Sequence, residues 1–453
     1  MSVHQTMARS TTGADVLAAR HWRSAETLLC AGTLASLGLR VYLPSHVPLG
    51  LVPTLATAPL WLRVVPAYRF GRLLAVLTAT AIVFGLGLSV YASSTRTLSR
   101  QDLASNLSFV LLTFCGAAVV LWGRRLMGSR STALLVALGM LAGAAIRGPS
   151  GDLDLWKGGL ATPTIVLVLA CTYGRAHATI VVLVALAIVS TVFDTRAQAI
   201  VLLLCALVVA WQRRPRSAAQ GLTPTLRTSA VWTAVVLSGL GFLAYQVGTQ
   251  ALVRGYLGRE AQERSIEQIN RAGSLILGGR PEGGATLALM RTHFSGYGFG
   301  ILPSNLDLVV AKQGLASINY DPNNGYVERF MFGTGFELHS VIGDLWVRMG
   351  PAGLLLVLAV AVLLVRGVAE RMPQRVATGL LLFTAMWTSW NLLFSPLLDS
   401  GTTLTLAVGL ALLPATARPD SPELCCEEGT ATGWSPGPHA DEGGAAPIRG
   451  RTP

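Results

Sequence analysis

Lysine is nearly missing from this chain, which holds only Lys157 and Lys312, and charge of either sign is scarce at 13% of residues. Soluble domains carry about 25% charged residues, so the shortage excludes an ordinary water-soluble fold. Cysteine is sparse and unpatterned. Cys30, Cys115, Cys171 and Cys205 sit inside apolar runs, and Cys425 and Cys426 are adjacent in the tail. Neither a metal spacing nor a disulfide framework emerges. Internal repeats are lacking, as are the paired broken helices that mark many transporters. Nothing in the pattern calls for a metal or another cofactor, and the first polar residues, up to Arg23, show no convincing signal-peptide cleavage site.

Apolar residues make up 52% of the chain. They fall in blocks of about 15 to 24 residues, the length a helix needs to cross about 30 Å of hydrocarbon. The expectation is an all-α integral membrane protein with about twelve transmembrane helices. The candidate spans are 26–43, 47–62, 70–93, 106–122, 131–146, 160–173, 177–193, 197–211, 230–252, 351–365, 376–394 and 400–413. The net charge of +12 is carried mostly by arginine in short loops. Topology signals and lipid phosphates explain it better than nucleic acid.

The arginines set an orientation. With the N-terminus inside, one side of the membrane collects Arg63, Arg69, Arg72, Arg124, Arg125, Arg130, Arg175, Arg213, Arg214, Arg216, Arg366, Arg371 and Arg375, among others. The opposite short loops hold only Arg40, Arg96, Arg100, Arg147, Lys157 and Arg196. By the positive-inside rule both termini are cytoplasmic, and the polar stretch 253–338 between the ninth and tenth spans lies outside. The organisation expected is a nine-span bundle (1–252), an extracytoplasmic loop domain with a re-entry helix (253–350), a three-span bundle (351–413) and a disordered cytoplasmic tail (414–453).

Within the polar stretch, 258–277 reads as an amphipathic helix and 286–294 as a second short one. A glycine-rich turn follows, Ser295-Gly296-Tyr297-Gly298-Phe299-Gly300, then an irregular run through Asn323-Asn324-Gly325. Residues 339–349 form a short helix before Gly350-Pro351.

Three side chains at the outer face carry chemical possibilities. Arg196 opens the eighth span beside Asp194; it either snorkels to lipid phosphates or holds an anionic ligand. Arg280 stands in a Gly-Gly-Arg-Pro turn, where glycines allow close approach of a ligand, and Arg291 follows one short helix later. His339 marks the return to the membrane, and an imidazole titrates near neutrality and takes a proton from a hydroxyl. Asp344 and Asp399 are candidate acids to orient it. Two arginines grip a pyrophosphate directionally, and a histidine deprotonates an alcohol. Together they are the toolkit for moving a group from a lipid pyrophosphate to a hydroxyl.

This arrangement resembles the O-antigen ligase and O-antigen polymerase family of bacterial membrane glycosyltransferases. Thr195-Arg196 is similar to the family's Ser-Arg element at the start of a span. Arg280 followed by Gly296-Tyr297-Gly298-Phe299-Gly300 is similar to its loop arginine and Gly-x-Gly turn. His339-Ser340, then Arg348-Met349-Gly350-Pro351-Ala352-Gly353-Leu354, resembles its closing His-Asn…Glu-x-Gly-x-x-Gly-Leu run. Two positions depart from that pattern: Ser340 stands where asparagine is usual, and Arg348 where glutamate is common.

The resemblance implies a GT-C-like fold in the bacterial inner membrane and a metal-independent, inverting glycosyltransferase. Its donor would be an undecaprenyl-pyrophosphate-linked glycan and its acceptor a hydroxyl on a glycan or lipid-linked molecule, in cell-surface polysaccharide biosynthesis. Arg196, Arg280 and Arg291 would bind the pyrophosphate and His339 would act as base. The ligase branch is favoured over the polymerase branch; a flippase for a lipid-linked sugar is the alternative from another class.

Overall fold

The computed structural model describes residues 13–43, 46–148, 156–213, 252–256, 258–273, 280–333 and 335–415, with isolated positions between 239 and 250. Nearly all of the expected ninth span (230–252) and of the tail (414–453) lies outside the described residues, as do residues 1–12. Among the described residues every regular element is helical, apart from three isolated β-bridges. The first group is α1 (Gly13–Leu39), α2 (Leu51–Ala56), α3 (Ala58–Trp61), α4 (Gly71–Ala92) and α5 (Arg100–Arg147). A π-turn at Trp156–Leu160 leads into α6 (Ala161–Cys171), α7 (Ala176–Val192) and α8 (Arg196–Gln212). The polar region holds α9 (Arg259–Ala272), α10 (Glu282–Thr292) and α11 (Asn305–Ala316), and the chain continues through α12 (Val341–Arg371), α13 (Gly379–Phe394) and α14 (Leu397–Ala411).

Three of these segments, α4, α5 and α12, are long and apolar enough to cross a membrane, and shorter apolar helices accompany them. Much of their apolar surface points away from the protein. In the most apolar window of α4 only 28% of residues are buried, and Leu73, Val76, Val83 and Val90 face outward. Such a surface is costly in water and neutral against lipid tails. The expected span at 47–62 is instead two short helices meeting at Thr57. Pro59 has no N–H to continue the ladder there.

α5 is two arms. Gly128 has φ 79° and breaks the helix, and the packing shows how sharply the chain turns. A Cβ at Gly139 or Gly143 would lie 1.9 Å from the carbonyl oxygen of Ala35 or Leu39 respectively, so α1 and the second arm run parallel. Gly123 meets Leu34 and Gly116 meets Leu37, so α1 and the first arm run antiparallel. The arms therefore reverse direction at Gly128. Gly139 and Gly143 supply the small-xxx-small face that lets two backbones touch.

Contacts sort the helix ends into two groups. At one end Arg124 donates to the carbonyls of Gly409 (2.6 Å) and Leu412 (2.7 Å), and Arg371 to those of Ala411 (3.1 Å) and Leu410 (3.2 Å). Two buried arginines thus satisfy the last carbonyls of α14, where the helix dipole also favours positive charge. Arg213 meets His177, and Gln212 meets Ala377, at the same end. The other end joins Arg147 to Arg40, Ser99 to Gly300, Arg348 to Asn106 and Asp344 to Leu397.

A second hydrophobic core sits at that other end, apart from the helix bundle. It gathers Ala285 and Leu289 of α10, Ala311 and Leu315 of α11, Tyr297, Met331, Phe336 and Trp346. The α11 helix is absent from the sequence reading. Its start is a capping box: the Ser304 hydroxyl accepts from the Asp307 backbone N–H, and the Asp307 carboxylate accepts from the Ser304 backbone N–H.

Candidate functional site

The glycine-rich turn is the joint between the two cores. Phe299 is buried in the helix bundle, whereas Tyr297 and Ile301 on either side belong to the second core. Residues two apart share one face of a regular strand, so this split requires the backbone to turn between them, and the glycines supply that turn. Gly296, Gly298 and Gly300 all have positive φ, at 78°, 103° and 71°. Their missing side chains leave room for backbone: a Cβ at Gly298 would sit 2.4 Å from the Ser89 nitrogen, and one at Gly300 2.6 Å from the Leu103 nitrogen. These glycines serve backbone packing against α4 and α5.

His339 stands at the return into α12. Its φ of 50° is a left-handed conformation, uncommon for a residue with a Cβ. Nδ1 lies 3.1 Å from the Glu337 carbonyl oxygen. A carbonyl only accepts, so Nδ1 carries the hydrogen, and in the neutral ring Nε2 then carries the lone pair. That is the tautomer of a base. Ser340 caps α12, its hydroxyl accepting from the Gly343 N–H at 3.0 Å. Asparagine caps equally well, so serine at this position keeps the turn.

Asp344 is buried and shares no hydrogen bond with the His339 ring. Its Oδ1 accepts from the Leu338 N–H (3.0 Å) and its Oδ2 from the Leu397 N–H (2.8 Å). It therefore fixes the residue before His339 to the start of α14: it orients the histidine through the backbone. Arg348, one turn later, lies 3.5 Å from Oδ1 of Asp344 and donates to Asn106 Oδ1 at 3.1 Å. Arg348 is thus held by one acid and one amide. Next, Gly350 breaks α12 at φ 55°, where a Cβ would be 2.0 Å from the Ser295 oxygen. Asp399 is 72% exposed and lies 3.8 Å from Arg40, with no bond to His339.

Arg196 is the first residue of α8, where the helix dipole disfavours a cation. Asp194 offsets this, accepting from Arg196 Nε at 2.6 Å, and also meets Arg264 of α9 at 3.6 Å. A second nitrogen of Arg196 lies 3.3 Å from the hydroxyl of Ser265. The start of α8 is thereby fastened to α9 by two arginines sharing one carboxylate. Arg280 is half-buried ahead of α10, and Arg291 is exposed in the last turn of α10. Among the described residues Arg196, Arg280 and His339 share no direct hydrogen bond or ion pair. Arg196 and His339 occupy the same end of the bundle, linked to the region that carries Arg280.

No protein-family model matches the chain, and no curated protein matches it.

The sequence reading missed one cluster in this region. Arg96, in the loop between α4 and α5, forms a bidentate pair with Asp307 and lies 4.8 Å above the Tyr297 ring. Tyr297 donates to the same carboxylate at 3.0 Å and stacks on His293 at 5.1 Å. Burial would raise the Asp307 pKa, but hydrogen bonds from Arg96 and Ser304 outweigh it and hold the carboxyl below its ordinary range. Burial, with the Asp307 charge beside it, pushes the Tyr297 phenol upward. No three His, Cys, Asp or Glu side chains converge as metal ligands among the described residues.

Proposed function

We propose that the chain is an inverting glycosyltransferase of O-antigen ligase type, set in the bacterial inner membrane with about twelve spans, both termini cytoplasmic and its site on the outer face. The observation that carries this reading is the His339 turn: a histidine with Nδ1 committed as donor, anchored through Asp344, at the bundle end that also holds Arg196 and the second core. In the reaction, the acceptor hydroxyl gives its proton to His339 Nε2 as its oxygen attacks the anomeric carbon. The bond from that carbon to the pyrophosphate oxygen breaks, and the electron pair leaves with the undecaprenyl pyrophosphate. Arg196 and Arg280 stabilise the charge that grows on the leaving group, with Arg291 at the rim.

The test of this reading is the lipid-linked glycan that accumulates in a deletion strain. Long chains stranded on the carrier indicate a ligase. Single repeat units would reassign the chain as a polymerase of the same type, and accumulation confined to the inner leaflet would make it a flippase.

A further inference from the structure

Between α11 and the re-entry turn, the chain builds a short row of aromatic rings. Asp321 accepts from the Asn323 N–H and Asn324 from the Tyr326 N–H, both at 2.9 Å, and Gly325 takes a φ of 80°. These turns feed a π-helical segment, Val327–Met331, a rare conformation often found at functional sites. Val327 and Met331 point into the second core and are fully buried. Tyr326 and Phe330 lie 5.5 Å apart, with Tyr320 edge-on to Tyr326 at 5.9 Å. Phe330 is 60% exposed.

The surroundings of these rings are polar. Asn323, Asn324 and Glu328 are exposed beside them, and Lys312 pairs with Glu328. A lipid tail or an apolar protein surface would desolvate these groups without partners. A sugar ring suits both features, because its C–H face stacks on an aromatic ring while its hydroxyls meet amides and carboxylates. The position narrows the choice of sugar. The Tyr326 hydroxyl donates to Glu282, which stands two residues after Arg280 and so ties the rings to the Arg280 turn.

We propose that Tyr326 and Phe330 form a carbohydrate subsite, and that it takes the donor sugar attached directly to the pyrophosphate. The assignment to the donor rests on the glycosyltransferase reading; the carbohydrate subsite does not.

The experiment uses full-length protein in nanodiscs and two probes. One is the glycan released by mild acid from the native lipid-linked pool, followed by saturation-transfer NMR. The other is the intact lipid-linked glycan in a transfer assay. Phe330→Ala should abolish saturation transfer to the released glycan and raise KM for the lipid-linked donor about tenfold, with kcat little changed. Phe330→Trp should restore both, and Phe294→Ala, at an exposed aromatic elsewhere, should behave as wild type. Released glycan bound equally by wild type and Phe330→Ala overturns the subsite, even if transfer occurs. Binding that depends on Phe330 in a protein without transfer activity upholds the subsite and removes the glycosyltransferase reading.

Discussion

Arg196 and Arg96 look alike in the sequence, each an arginine beside a polar turn at the same end of the bundle, yet their surroundings differ. Arg96 is gripped along one edge by a buried carboxylate, covered by the Tyr297 ring and only 14% exposed, which leaves little of it open to a ligand. Arg196 shares Asp194 with Arg264 and stays 28% exposed, so part of its guanidinium still faces outward. Arg196→Lys should lower transfer by about 10²–10³-fold, because an ammonium cannot reproduce the guanidinium fork; wild-type turnover in that variant would remove Arg196 from the site. Asp307→Ala should destabilise the second core by about 3–5 kcal/mol, since it strands the buried Arg96. The folded pKa of Asp307 is depressed, so the stability it contributes is present at neutral pH and is lost as the pH falls below about 4. Limited proteolysis of the 280–347 region across pH should show that loss, and Asp307→Asn should flatten the profile. His339, Arg196 and Arg280 stand out in the sequence as polar groups beside apolar runs, and Arg196 and His339 lie at one end of the bundle. The Arg96–Asp307 pair does not stand out, because its partners are 211 residues apart.

Elements were legible where local chemistry decides them. The amphipathic α9, the short α10 and the break of α12 at Gly350-Pro351 were all expected near their observed places. Missing from the reading was α11, although Ser304 and Asp307 carry a capping box visible in the sequence; weak amphipathicity beyond the cap hid the helix. The glycine-rich turn was expected as a turn but not as a joint, because close approach to α4 and α5 is a tertiary fact. Gly298→Ala combines a strained φ with a collision against backbone, and should cost roughly 2–5 kcal/mol. The expected signature is release of the second core from the bundle, with protease cutting near 295–301 while the membrane helices stay folded. Unchanged protease resistance would show that the turn does not hold the two cores together.

At the scale of the whole molecule, the proposal requires the residues to face one compartment. The arginines sort the loops into two sides, and the contacts sort the helix ends into two groups. Single cysteines at 196, 280 and 339 in a cysteine-free background should all react with a membrane-impermeant reagent added from outside intact spheroplasts. Labelling of 196 and 339 from opposite sides would end the proposed site. The central claim is that His339 takes the acceptor proton during glycan transfer. Its most direct test is single-turnover transfer by reconstituted protein loaded with undecaprenyl-pyrophosphate-linked glycan, comparing wild type with His339→Ala. The expected result is donor binding within about twofold of wild type and transfer slowed by about 10²–10⁴-fold; transfer by His339→Ala at the wild-type rate would contradict it.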